Sequence, residues 1–162
     1  MFHKLTIKDT FLFCFILTIV ATIYAYYNND KEIKLLEKKL TSCEILQLYW
    51  IRFVHYFIAF FMRIYPLLTN VIFLHDVLYL YFGFLILCNW FIFSECILSL
   101  YEKQILDKKY FIGSNVDYQP FYRLLLNSPL FYKSLKISSY MVVSVVLIRI
   151  LFYKYETKYK SL

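Results

Sequence analysis

Three polar side chains recur at helical spacing inside one apolar stretch: Arg52, His55 and Arg63, with Ala59 on the same face. An imidazole there could ligate haem or a metal, or carry a proton. A second set, Asn89, Cys96, Ser99 and Glu102, lies in the next apolar stretch. On a helix Asn89, Cys96 and Ser99 fall within about a quarter turn of one another. With His55, the Cys96 thiol and the Glu102 carboxylate could serve redox or acid–base chemistry. The plainer readings are a hydrogen-bonded core histidine and an amide that ties helices together. No nucleophile stands with its base in sequence, and there is no glycine-rich phosphate loop or H-E-x-x-H. Cys14, Cys43, Cys88 and Cys96 form no C-x-x-C pair, so neither a zinc site nor a thioredoxin-like motif is supported.

The elements that must hold these residues are apolar helices. Of the 162 residues 61% are hydrophobic, 22% aromatic and only 18% charged, with a mean hydropathy of +0.57. That leaves too little polar surface to cover a soluble core, whereas lipid accepts Phe and Leu directly. Two Gly and three Pro leave few breakers, which favours long helices. Segment one covers residues 7–27 behind a Thr6-x-x-Asp9 capping box, and reads as an uncleaved signal anchor; a cleavable signal peptide is the rival reading. Residues 28–42 form either a short amphipathic surface helix, with Ile33, Leu36 and Leu40 on one face, or a solvated connector. Segment two, residues 45–65, follows a second capping box, Thr41-x-x-Glu44. After the turn at Pro66 comes segment three, residues 71–101, which is longer than one span and must tilt or project beyond the lipid. Residues 102–136 mix charge with aromatics, as interfacial segments do, and segment four covers 137–153 with Arg149 placed to snorkel.

The net charge of +7 could point to nucleic acid. Here, however, the lysines cluster at the ends of apolar runs, where they meet headgroups. Expected partners are the lipid bilayer and other membrane proteins, not nucleic acid. The Lys and Arg bias favours the loops after segments one and three, which places them on the cytoplasmic side and both termini across the membrane.

Segments two and three make an antiparallel hairpin whose facing residues have numbers summing to about 139, from equal rise along both helices. That sets Arg63 level with Asp76 as an ion pair near the tip. It sets Cys43 level with Cys96, where free thiols are favoured over a disulfide, and Glu44 level with Glu95. It puts Phe82 to Phe84, not a second ligand, at the depth of His55. Asn89, deep in its run, needs a bond across to another helix.

The stretch Cys96-Ile97-Leu98-Ser99-Leu100-Tyr101-Glu102 reads C-x-L-S-x-x-E, preceded by Trp90 and, one helix earlier, by His55. It resembles a motif of uncharacterised small multi-pass membrane proteins of bacteria, usually C-P-L-T-x-x-E, and of large nucleocytoplasmic DNA viruses, where a His-Trp pair often precedes the Cys. Asn89 stands in place of that His and Ile97 in place of that Pro. The match covers segments two to four. It implies a fold and a membrane location but no reaction, and a role that needs a histidine at 89 does not carry over. The Phe- and Tyr-rich, Ala-poor composition of an AT-rich gene suits a large DNA virus, and protist mitochondrial subunits share it.

The expectation is therefore an all-α integral membrane protein with about four transmembrane helices in a single domain, built on a central hairpin. Its role is non-enzymatic, as a viral envelope or internal-membrane component. The alternatives are an accessory subunit of a larger, for example respiratory, complex and a membrane redox or haem protein. No catalytic, metal or cofactor-binding residue is assigned. Arg52, His55, Arg63, Asp76, Asn89, Cys96, Ser99 and Glu102 are read as structural polar residues.

Overall fold

The structure is a computed structural model and describes residues 6–28, 38–68, 71–93, 96–108 and 129–159. Its helices are α1 (Ile7–Asn28), α2 (Ser42–Ile64), α3 (Phe73–Phe93), α4 (Ile97–Leu106) and α5 (Pro129–Tyr159), with a 3-10 turn at Tyr65–Leu67. There is no strand among the described residues. Two helices start where local chemistry dictates. The Asp9 amide donates to Thr6 Oγ1 while the Thr6 amide donates to Asp9 Oδ2. Thr41 and Glu44 repeat the exchange ahead of α2. Each box satisfies orphan amides that lipid could not.

Three helices are long and apolar enough to cross a membrane: Ile7–Tyr27, Ser42–Leu67 and Phe73–Phe93, with a shorter apolar stretch at Ile137–Phe152. The 21 residues of the first rise about 31 Å, the thickness of a hydrocarbon core. The fold is that of an all-α membrane protein. Its outward faces carry bare hydrophobic side chains, among them Leu12, Trp50 and Phe91.

In the bundle α1 lies antiparallel along α2, α5 lies antiparallel along α3, and α4 returns against α2. The face α1 turns inward is small: Cys14, Thr18 and Ala25 are buried, and Ala21 and Ala25 pack near Tyr56 and Ala59 of α2. Small side chains let helices approach where lipid gives no hydrophobic drive. The hydroxyls of Thr10, Thr18 and Thr22 stay satisfied by donating to carbonyls four residues back. Beside this seam the Phe11 ring meets Phe57 and Phe61, and Phe15 meets Phe53.

The hairpin of α2 and α3 is held at its tip. Tyr65 and Tyr79 stack at 4.6 Å, and the Tyr79 hydroxyl donates to the Met62 carbonyl at 2.6 Å. Leu68 and Val146 complete the cluster, and Ile7 packs on it. The tip, the start of α1 and α5 thus meet at one end of the bundle. Beyond Gly83 the two arms part, and a pocket occupies the gap. At Gly83 α3 lies close against its neighbours: a Cβ there would lie 2.9 Å from Val143 Cγ2 and 3.2 Å from Met62 Cε.

Two boundaries differ from the expectation. The run over 71–101 is not one tilted helix: α3 ends at Phe93, Cys96 is extended (φ −71, ψ 135), and α4 begins after it. The break lets α4 return to α2 after α3 has diverged. Ser99, Glu102, Lys103 and Leu106, at helical spacing, are buried there. The segment at 137–153 is the middle of a longer helix, α5. The amphipathic segment expected over 28–42 and the aromatic connection over 102–136 fall largely outside the described residues, as does Glu95.

Gly83→Leu is expected to cost about 1–3 kcal/mol by overpacking against Val143. Thermal unfolding of the detergent-solubilised protein checks it, and an unchanged midpoint would mean α3 and α5 are not tightly packed there.

Candidate functional site: two ion pairs and an apolar pocket

Arg52 lies in the first half of α2 and points at α4. Its Nε donates to Glu102 Oε1 at 2.6 Å, with the two side chains 2% and 3% exposed. The guanidinium also sits 5.2 Å from the centre of the Tyr49 ring. A charge at this depth is tolerated only with such a partner. At the membrane-surface end of the same helix pair, Glu44 meets Lys108 at 3.0 Å, an exposed contact that contributes little.

The second pair joins α3 to α5. Arg149 Nε donates to Asp76 Oδ2 at 2.8 Å and its Nη2 donates to Oδ1, a two-pronged clasp. Arg149 Nη1 donates to the Leu68 carbonyl at 2.6 Å and to that of Pro66 at 3.3 Å. The Tyr65 hydroxyl donates to Asp76 Oδ1 at 2.8 Å, and the Arg149 guanidinium lies 5.5 Å from the Tyr65 ring centre. One side chain of α5 therefore engages α3, the turn and the end of α2.

This corrects two readings. Asp76 is clasped by Arg149, not by Arg63, and Arg149 turns inward instead of snorkelling. Equal rise along a hairpin fixes depth but not rotation: Asp76 faces α5. Arg63 Nη1 donates to the Ala59 carbonyl of its own helix at 2.8 Å. Asn89 is corrected likewise, because its Nδ2 donates to the Leu85 carbonyl one turn back rather than across to another helix. All four cysteines are free thiols, with Cys14 buried, Cys43 exposed at the start of α2 and Cys96 half-buried ahead of α4.

The remaining polar residues converge on the gap between the hairpin arms. His55 and Arg63 of α2, Asn89 and Trp90 of α3, Cys96 before α4 and Ser139 of α5 all line one pocket of about 210 Å³. The rest of its wall is apolar. Ser99 and Glu102 of the motif are buried in α4. His55 and Cys96 share the pocket, and no third His, Cys, Asp or Glu among the described residues joins them in a group able to hold a metal ion. The arrangement can bind an apolar molecule with a hydrogen-bonding group.

Sequence reasoning missed Arg149, Tyr65 and Ser139 as site residues. The signal for the first was available: Arg149 is the one charge within 137–153 and Asp76 the one within α3. Lone opposite charges in two spans are expected to meet. Set against known protein families, curated proteins and solved structures, the chain matches none.

Arg149→Leu should destabilise the bundle by about 3–5 kcal/mol, because it leaves the Asp76 carboxylate buried without its counter-charge. Arg149→Leu with Asp76→Leu should recover much of that loss in the same unfolding assay. Additive losses would show that the pair is not coupled.

Proposed function

We propose that the chain is a non-enzymatic, multi-pass membrane component that works by assembling with other membrane proteins. The observation that carries this reading is the pairing of two sets of buried or half-buried charges between helices. Arg52 with Glu102 and Asp76 with Arg149 hold helices to one another, so these groups act as scaffold. Catalytic acids and bases instead face a space where a substrate can reach them. The setting we favour is a viral envelope or internal membrane, which rests on the resemblance of the Cys96–Glu102 motif and on the AT-rich composition.

Purification of the tagged chain in mild detergent should bring down a defined membrane protein in fixed ratio, identified by mass spectrometry. Glu102→Gln should lower the amount of both together, because Arg52 then lacks its counter-charge. Solitary wild-type protein would sink the proposal. So would a Glu102→Gln protein made at normal abundance but without function, since that points to a catalytic carboxylate.

A further inference from the structure

The pocket between α2, α3, α4 and α5 sorts its lining by depth. Near the hairpin tip, Gly83 lies against Val143 and Met62, which close that end. Ile58, Ala59 and Ile86 line the middle. Farther along come His55, Asn89, Trp90 and Cys96. His55 is the fourteenth residue of the 26-residue span Ser42–Leu67, so this polar end lies near mid-membrane. Arg63 is eight residues away along α2, about 12 Å toward the tip.

An ionised ligand group is costly at mid-membrane. Arg52, the nearest cation along α2, is matched by Glu102. What the polar end offers is an imidazole, a carboxamide, an indole N–H and a thiol, a set suited to carbonyl oxygens. A largely apolar space of this size inside a membrane bundle favours an apolar occupant, because close packing is the norm in protein interiors. We infer that the pocket binds a membrane-dissolved, uncharged amphiphile. Its carbonyl-bearing ring sits among His55, Asn89 and Cys96 and beside Trp90, and its apolar tail runs along Ile58 and Ile86 to the lipid. This assignment holds whether or not the protein has the partner proposed above.

The chain has two tryptophans. Trp50 is exposed and stacked on Phe53, so Trp50→Phe leaves Trp90 as the sole reporter. Titration of that protein in detergent micelles with a decyl-tailed benzoquinone should quench Trp90 to saturation. Leu87→Phe and Ser139→Phe, which fill the pocket from different walls, should each weaken binding by about tenfold or more. Thermal unfolding verifies that each variant is folded. If neither is, the saturable titration of the Trp50→Phe protein decides alone. Quenching that rises linearly without saturation, or that both folded variants leave unchanged, overturns the site. Displacement of the quinone by oleate at equal affinity overturns the uncharged head.

Discussion

The guanidinium of Arg149 is the joint on which the bundle turns. Helix ends inside or near lipid leave carbonyls that water cannot reach, and the 3-10 turn after α2 is such an end. Arg149 donates to two of those carbonyls and clasps Asp76 with its other nitrogens. A lysine could not do this: an ammonium is a point charge without the planar fork that meets a carboxylate and two carbonyls together. Tyr65 and Tyr79 then stack beneath the clasp and lock the hairpin tip. The position of α5 follows, and with it the tight passage of Val143 over Gly83.

Arg52 and Glu102 act in the same way elsewhere in the bundle, between α2 and α4. With both clamps in place, α2 touches α3 at the tip and α4 along its first half, while α3 leans toward α5. The pocket is the consequence of two clamps that draw the hairpin arms toward different neighbours. Apolar burial is a weaker guide to this geometry, since lipid solvates apolar side chains as well as a neighbouring helix does.

What was legible in the sequence was local or followed from hydropathy. The capping boxes at Thr6 and Thr41 depend on residues three apart, and the spans depend on runs of apolar residues. Rotation about a helix axis depends on the whole bundle, so the hairpin register gave the depth of Asp76 but not the face it turns to, and only its being a lone charge pointed to Arg149. The break at Cys96 was hidden because the polar Ser94 and Glu95 interrupt the apolar run only briefly before Ile97, Leu98 and Leu100 resume it; the pairing of Arg52 with Glu102 gives a reason for the chain to turn there. Cys14, Thr18, Ala21 and Ala25 show the converse. Their small size and helical spacing marked the face that meets α2, and that signal lay unused behind the aromatic residues around them.

The motif residues gain a physical sense from this geometry. Cys96 stands at the break, Ser99 and Glu102 lie one and two turns into α4, and His55 and Trp90 face the space the break opens. Spacing along one helix therefore becomes division of labour in space: the C-terminal part of the motif holds α4 to α2, and the N-terminal part lines the pocket. Glu102 is bound to Arg52 at the back of that arrangement. Removing its charge would free α4 first and alter the pocket second, so structural and binding roles are coupled through one helix instead of residing in one residue.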